Sequence, residues 1–312
     1  MKAKPTTRAI LDKAAADFGL TFEEAAAAPG RSLALPRIGL YDQYGGNMPT
    51  GWTRLVLENF EYPYTSVFPQ QLDAGNLRAK FDVLVFNGIG TPSGRGAGTG
   101  AFGGAAAASA GNTNPNAAST PPQGGRGGGR GGNAAPIPAE YQSQTGNFTA
   151  QTMEKVKEFV AAGGSVIYIG ESSFGGLKAF TDAFVNQVEG LPQAKYYIPG
   201  SVLRVKIDTS APLAHGLDEY LDVFFNNDPV FKMPDPIVNA TRVAWFDSKT
   251  PLRSGWAWGQ EALDQGIAVV DLNPRGAGGH VYAFGPEILF RSQPHGSYKL
   301  FFNGLLLSAS KR

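Results

Sequence analysis

The chain has 312 residues, of which 42% are hydrophobic and 17% are charged, and its formal net charge is +1. This length is enough for one large or two ordinary domains with a sizeable core. The near-neutral charge argues against nucleic acid and anionic membranes as partners. Because the sequence contains no cysteine, a thiolate nucleophile, a disulfide and a Cys-ligated zinc are excluded.

The first segment predicts two short helices, at 6–18 and 21–28. The second begins with Thr21-Phe-Glu-Glu24, a pattern in which side chains and backbone donors cap each other. The lysines near the start are not followed by a continuous apolar run, so we expect no signal peptide. We expect no membrane-spanning segment either. We interpret 1–34 as a helical connector; the sequence itself carries no cellular address.

Strands and helices then alternate along the chain. Apolar runs bounded by turn formers predict strands at 37–42, 64–68, 81–88 and 165–170. Apolar positions at helical spacing predict helices at 52–60 and 149–164. This alternation is typical of parallel crossover units, so we predict an α/β fold with helices on both faces of the sheet.

After residue 200 the pattern changes to short strands joined by turns. Strand-like pieces begin near residues 201, 220, 241, 266 and 279, and a helix is predicted near the C-terminal end. We interpret these pieces as an antiparallel β extension of the parallel sheet.

Residues 91–138 form a low-complexity insertion. Their Gly, Ala, Pro and Asn content is too high to bury a core, which predicts a disordered loop. The "GGRGGGRGG" within it resembles an RNA-binding tract, but Arg95, Arg126 and Arg130 are its only basic residues and Phe102 its only aromatic one. A flexible loop is therefore the preferred interpretation.

Two motifs carry a resemblance to class I glutamine amidotransferases. "GGSVIYIGESSFGG" is a strand, a sharp turn and a helix, similar to the elbow that holds that family's nucleophilic cysteine. "YAFGPE" is similar to its Gln-Phe-His-Pro-Glu. Matched by position, Ser172 replaces the cysteine, Phe174 the second elbow glycine and Gly285 the histidine, while Glu287 is retained. The resemblance implies a flavodoxin-like sheet over 35–312 and an active site that has lost its base.

Longer segments resemble the C-terminal, amidotransferase-like region of bacterial zinc carboxypeptidase-like proteins of the M14 family. These segments are "RIGLYDQYGGNMPTGWTRLVLENFEYPY", "FPQQLDAGNLRAKFDVLVF" and "FGPEILFRSQPHGSYKLFFNGLL". The resemblance implies a non-catalytic accessory domain for substrate binding, docking or stability. Its partner would be an M14-type peptidase domain in cis or in trans, and its location periplasmic or secreted. Zinc is expected only in that missing peptidase domain, so we expect no cofactor in this chain.

A serine hydrolase is the alternative from another class. It needs an imidazole within hydrogen-bond reach of Ser172, and His280 and His295 are the nearest in sequence. Otherwise Ser172 and Ser173 are interpreted as caps of the helix after the elbow. Glu287 is interpreted as a partner of Arg291, four positions later.

The loop after the first strand is a candidate ligand site. Asp42 precedes the glycines Gly45 and Gly46, which let backbone N–H groups approach an anion, and Asn47 follows. Glu171 lies where α/β folds bind ligands, so the ligand-binding candidates also include the elbow. These candidates are Asp42, Gly45, Gly46, Asn47, Glu171, Ser172 and Ser173. The spacing matches no nucleotide-binding motif.

The tryptophans and histidines of the C-terminal third carry weaker signals. Trp256 and Trp258 predict either stacking on a carbohydrate or peptide ligand, or cover for the edge of the core. His215, His280 and His295 are scattered and none begins a His-x-x-Glu motif, so we predict no metal site.

Overall fold

The computed structural model describes residues 4–22, 34–91, 137–234, 239–276 and 278–309. The chain divides into two compact units, Met1–Leu33 and Ala34–Arg312. The described part of the first contains α1 (Thr7–Phe18), which confirms the helix expected at 6–18. Gly19 ends α1 with φ 66° and donates its N–H to the Ala15 carbonyl, a left-handed C-cap that glycine adopts without strain. The helix expected at 21–28 lies mostly outside the described residues.

The second unit is built on one sheet. Its strands, in chain order, are β1 (Ile38–Tyr41), β2 (Tyr64–Val67), β3 (Val83–Asn87), β4 (Ser165–Ile169), β5 (Val185–Asn186), β6 (Pro199–Ile207), β7 (Tyr220–Asn226), β8 (Phe231–Lys232), β9 (Ala240–Trp245), β10 (Leu252–Ser254), β11 (Ile267–Leu272) and β12 (Val281–Phe284). Its helices are α2 (Met48–Asn59), α3 (Pro69–Asp73), α4 (Leu77–Lys80), α5 (Ala150–Ala161), α6 (Ser172–Lys178) and α7 (Tyr298–Ala309).

The parallel half of the sheet has the order β2-β1-β3-β4-β12. This is the flavodoxin-like arrangement 2-1-3-4-5, in which ligands bind beyond the carboxyl ends of the strands. The predicted α/β fold class and flavodoxin-like sheet are therefore confirmed. Strands β1, β3, β4 and β12 are buried along their whole length, as expected for parallel strands covered on both faces.

Alternate residues of each strand supply two separate cores. Val83 and Val85 of β3 point to the face covered by α2 and α7, whereas Leu84 and Phe86 point to the face covered by α3–α6. The period-two alternation of side chains along a strand explains why apolar runs without polar positions form these strands.

The antiparallel half continues from β12 in the order β11, β9, β6, β10, with β7 paired to β6. The strands expected near residues 201, 220, 241 and 266 are present. The last predicted piece behaves differently, because β12 pairs parallel to β4 and antiparallel to β11. The expectation that this piece belongs to the antiparallel extension is therefore wrong: β12 is the fifth parallel strand and the junction between the two halves.

The predicted insertion at 91–138 lies outside the described residues except at its two ends. Among the described residues, no helix is long and apolar enough to cross a lipid bilayer.

Candidate functional site at the carboxyl end of the parallel strands

A sharp turn joins β4 to α6 at the carboxyl edge of the sheet. Gly170 has φ +64°, in the left-handed region, while Glu171 is already helical and α6 starts at Ser172. In an elbow of the hydrolase type, the residue on the strained turn carries the nucleophile. Here that position is glycine, so the turn presents no side chain.

Ser172, which the resemblance places at the nucleophile, is the first residue of α6 and is 2% exposed. Its hydroxyl donates to the carbonyls of Ile169 (3.0 Å) and Phe86 (3.2 Å). The fully buried Ser173 hydroxyl donates to the Gly170 carbonyl at 2.6 Å. The expectation that these serines cap α6 is wrong, because no backbone N–H of the helix donates to their hydroxyl oxygens. Instead, both hydroxyls satisfy carbonyls at or next to the ends of β3 and β4.

The position matched to the general base is closed by backbone. At Gly285 an added Cβ would lie 2.3 Å from the Pro229 carbonyl oxygen and 3.2 Å from that of Ala268. A contact of 2.3 Å is far inside van der Waals range, so no side chain fits there without moving the chain. The turn after β7 thus fills the space in which the family's imidazole would be expected.

That turn brings Asp228 to the elbow. Asp228 is 1% exposed, and its Oδ2 accepts the Asn226 N–H at 2.9 Å. A Cβ built on Gly170 would lie 3.9 Å from Asp228 Oδ1 and 3.3 Å from Glu287 Cγ. Asp228, Glu287 and Glu171 therefore surround Gly170, and we call these three residues the elbow carboxyl cluster.

Burial and mutual repulsion favour the protonated, neutral forms of these carboxyls. Burial raises the pKa of Asp228 well above its ordinary value, and the charges of Glu287 and Glu171 raise it further; the backbone N–H groups of Asn226 and Glu287 offset only part of this rise. Burial, followed by the charge of Glu171, raises the pKa of Glu287 to about 7. Partial desolvation raises the pKa of Glu171, although its side chain is exposed to water. Neighbouring carboxyls with raised pKa values can hold and exchange protons at neutral pH.

The retained Glu287 does not have the expected helical pairing with Arg291. Phe290–Ser292 is a 3-10 turn in which Arg291 has φ 48°, so residues 287 and 291 do not share a helix face. The Arg291 guanidinium lies over the Phe290 ring at 5.1 Å.

The loop after β1 is organised by internal contacts. Asp42 is 4% exposed and its carboxylate accepts from the Gln43 N–H and from Arg54. Burial raises the pKa of Asp42, while the Gln43 N–H and Arg54 lower it. Asn47 caps α2 by accepting the Thr50 N–H at 3.1 Å.

The two glycines of this loop serve its turn. Gly45 and Gly46 have φ values of +90° and +72°, and the Gly46 N–H is used by the Gln43 carbonyl. The loop therefore has a structural role for each of its polar candidates, with open space beside the glycines.

His280 lies away from Ser172. The backbone of His280 bonds to Ser165 and Val166 at the amino end of β4, so the length of that strand, about 16 Å, separates it from the elbow. Its Nδ1 lies 2.6 Å from an Asp271 oxygen. His295 is exposed and packs against the Tyr298 ring at 5.1 Å. The described hydrogen bonds join neither imidazole to Ser172.

Trp256 and Trp258 are 58% and 53% exposed, so they do not cover the core. The indole N–H of Trp258 donates to the Ala194 carbonyl at 2.8 Å, and Trp256 packs edge-on against Tyr197 at 6.1 Å. Both rings are thus held in place with large areas facing solvent.

A cleft of about 610 Å³ lies elsewhere, on the antiparallel half. Lys206 in its wall pairs with Glu219, and Arg242 lies over the Trp245 ring at 4.0 Å. None of the buried, unpartnered side-chain atoms of the described residues lines this cleft, whereas two belong to the elbow carboxyl cluster. The elbow is therefore the stronger candidate site.

Within the described ranges, no group of three or more His, Asp or Glu side chains is arranged to hold a metal ion. Asp228 is the functional candidate that the sequence does not indicate. It stands in Asn226-Asn227-Asp228-Pro229, where an aspartate is an ordinary turn residue, and only the fold carries it to the elbow.

No protein-family model and no curated protein matches this chain. Solved structures do resemble it at low identity. A candidate GMP synthase protein from Thermoplasma acidophilum is 14% identical, over 88% of this chain and 95% of its own, with a TM-score of 0.47. A ThuA-like protein from Bacteroides uniformis is 10% identical, over 91% and 96%, with a TM-score of 0.43.

The carbohydrate deacetylase Agd3 is 14% identical over 89% of this chain and 33% of its own, with a TM-score of 0.45. All three TM-scores lie below 0.5. The fold assignment therefore rests on the strand order described above.

Proposed function

We propose that this chain is a non-catalytic domain of the amidotransferase type that binds a ligand at the elbow without covalent chemistry. The observation that carries the proposal is Gly170 at the left-handed position of the elbow, where a nucleophile would stand. Ser172 is buried and bonded to carbonyls, and Gly285 has no room for a base. A serine hydroxyl without a base is a poor nucleophile at neutral pH.

The test is labelling with a fluorophosphonate probe, together with turnover assays on glutamine, peptides and esters. We expect no labelling and no turnover above the Ser172→Ala variant. Because Ser172→Ala removes two hydrogen bonds to carbonyls, its fold must be checked by thermal melting alongside the assays. Labelling of the folded wild type that disappears in Ser172→Ala would establish a serine hydrolase and overturn the proposal.

A more specific proposal is that this non-catalytic domain works beside an M14-type zinc carboxypeptidase. It is supported by the resemblance of the segments around residues 37, 68 and 284, and by the loss of both the nucleophile and the base. An M14-type peptidase domain encoded next to this chain should bind it in a purified mixture and change its peptidase kinetics. Absence of binding at micromolar concentrations would remove this association and leave the non-catalytic proposal intact.

A carbohydrate ligand is a second candidate, favoured by the exposed Trp256 and Trp258. Indole rings held by a backbone hydrogen bond and an edge contact present flat apolar faces of the kind that stack on sugars. A glycan panel followed by tryptophan fluorescence tests it. A saturable change that is lost in Trp256→Ala or Trp258→Ala supports it, and flat titrations across the panel contradict it.

A further inference from the structure

The elbow carboxyl cluster has a gradient of exposure. Glu171 is exposed, Glu287 is partly buried and Asp228 is 1% exposed. A Cβ built on Gly170 would lie within 3.9 Å of both deeper side chains, so Gly170 adjoins both inner carboxyl groups. The three residues thus place acidic groups from the solvent-exposed surface to the buried interior around Gly170.

One oxygen of each inner carboxyl lacks a hydrogen-bond partner. Asp228 Oδ1 and Glu287 Oε2 are buried and accept no hydrogen bond from any described residue. No ion pair of the described residues reaches Glu171, Asp228 or Glu287. The Tyr196 hydroxyl is also buried and unpartnered; burial raises its pKa, and the charge of Asp228 raises it further.

Buried acceptors without donors cost stability. An unsatisfied buried polar group destabilises the folded state, and more so when it is charged. When the inner carboxyls ionise, their charges also repel one another and the charge of Glu171. Elsewhere in this chain a buried carboxylate is fully paired: Asp82 is bonded by Arg37 and Arg78. At the elbow, by contrast, no hydrogen bond from a described residue reaches Asp228 Oδ1 or Glu287 Oε2.

We propose that the elbow carboxyl cluster binds the protonated amine of a ligand, with the ammonium group donating to Asp228 Oδ1 and Glu287 Oε2 and Glu171 at the entrance. An ammonium has three donors and no acceptor, which matches acceptors that lie at different depths. A metal ion is disfavoured because the described acidic and histidine side chains form no metal-holding group. This inference rests on the proposed non-covalent function and names the ligand class for that site.

A bound amine should change which protonation state of the cluster is favoured. In the free protein the raised pKa values favour the protonated forms of the inner carboxyls. A bound ammonium favours the ionised carboxylates, so binding releases protons and becomes tighter as pH rises through about 7.

The experiment titrates the whole chain with 1,4-diaminobutane at pH 8 and follows the melting temperature and the heat of binding. Butane-1,4-diol controls for shape, choline for charge without N–H donors, and sodium chloride for ionic strength. Nα-acetyl-lysine amide and glucosamine serve as further arms that distinguish a lysine side chain from an amino sugar. We expect a saturable rise in melting temperature with a primary amine and none with the three controls.

The variants are Asp228→Asn and Glu287→Gln, with Glu219→Gln as the matched control, because Glu219 is a glutamate on the antiparallel half that pairs with Lys206. Each cluster variant should weaken amine binding at least about tenfold, since each removes a hydrogen bond between a carboxylate and the ammonium. Glu219→Gln should bind as the wild type does. Asp228→Asn should also melt higher than the wild type at pH 8 without ligand, a gain that a purely structural aspartate would not give.

Should Asp228→Asn fail to fold, Glu171→Gln gives the same test, because Glu171 is exposed. The proposal is overturned if no primary amine gives a saturable response, or if the cluster variants respond as Glu219→Gln does. If fluorophosphonate labelling is also absent, that result overturns only the amine proposal, and the proposed non-covalent function is retained. Labelling of Ser172 would overturn the proposed function whatever the amine titration shows.

Discussion

The two edges of the parallel sheet each contain a buried aspartate, and the two aspartates differ in their hydrogen-bond partners. At the amino edge, Asp82 is fully buried and accepts from Arg37 Nε (3.2 Å), Arg37 Nη2 (3.0 Å), the Arg37 N–H (2.9 Å) and Arg78 Nη1 (2.7 Å). At the carboxyl edge, Asp228 is as deeply buried, yet one of its oxygens accepts nothing from the described residues.

The difference separates a structural carboxylate from a functional candidate. A buried charge is tolerated in a fold when it is paired and hydrogen-bonded, as Asp82 is. A buried carboxyl that is kept without such partners, at the edge where open α/β sheets bind ligands, is better explained by what it binds than by what it stabilises. The comparison therefore predicts opposite responses to neutralising the two aspartates.

The largest effect is expected at the amino edge. Asp82→Asn removes a charge that pairs with two arginines, and both guanidiniums are only partly exposed. Breaking a buried pair by removing one partner costs about 3–5 kcal/mol, and partial hydration of the arginines places the expected loss in free energy of unfolding near the lower end, about 3 kcal/mol. Urea denaturation at pH 7 measures it.

Asp222→Asn is the matched control, because Asp222 also pairs with two arginines, Arg204 and Arg253, but lies 38% exposed. Its loss should be below about 1 kcal/mol. An Asp82→Asn variant as stable as this control would remove the contrast between the two edges.

The sequence predicts the strands whose edges are compared here, but not the side chains that meet at the elbow. The apolar runs at 37–42, 81–88 and 165–170 become β1, β3 and β4, because a strand buried on both faces needs an uninterrupted apolar run. The run at 279–285 predicts β12 as a strand but not its direction, since direction depends on which neighbour it meets.

Site prediction fails for a related reason. Matching motifs by position places the nucleophile at Ser172, while the backbone puts the elbow earlier, at Gly170. The missing base at Gly285 is visible in the sequence. What replaces it, the Pro229 carbonyl and the neighbouring Asp228, comes from a turn distant in sequence and has no local signal.

The pH dependence of stability gives the next largest effect, at the carboxyl edge. The folded protein keeps the Glu287 proton up to a pKa of about 7, whereas the ordinary value is 4.5. The folded state therefore binds more protons than the unfolded chain between these values, and its free energy of unfolding falls as pH rises through this window. Integrated between pH values of about 5 and 8, the fall due to Glu287 is about 2–3 kcal/mol, at about 1.36 kcal/mol per unit.

Glu287→Gln should remove this fall, so that the variant is less sensitive to pH than the wild type between pH values of about 5 and 8. Denaturation curves across that window measure it. Glu219→Gln, altering a glutamate that is 62% exposed, should retain the wild-type slope. Parallel pH profiles for the wild type and Glu287→Gln would show that the glutamate is solvated and would weaken the case for the cluster.

The elbow turn itself is the third test. Gly170→Ala places a Cβ on a residue with φ +64°, at 3.3 Å from Glu287 Cγ. The left-handed conformation costs a non-glycine residue about 1–2 kcal/mol, so the free energy of unfolding should fall by that amount. Gly51→Ala is the control: Gly51 lies in α2 with no atom within 4 Å of an added Cβ, and alanine there should stabilise by about 0.5–1 kcal/mol. A Gly170→Ala variant as stable as Gly51→Ala would contradict the geometry of the elbow.

The smallest expected change in stability is at Asn47, in the loop after β1, and it tests whether that loop has a structural role. Asn47 caps α2, its Oδ1 accepting the Thr50 N–H and its Nδ2 donating to the Thr50 hydroxyl at 2.9 Å. Asn47→Ala should cost about 1 kcal/mol, while Asn47→Ser should retain most of the stability because serine caps equally well. Neither variant should alter the titration with 1,4-diaminobutane. If Asn47→Ser kept full stability but weakened the amine, the ligand site would extend across to the loop after β1, and the elbow carboxyls would be only its acidic end.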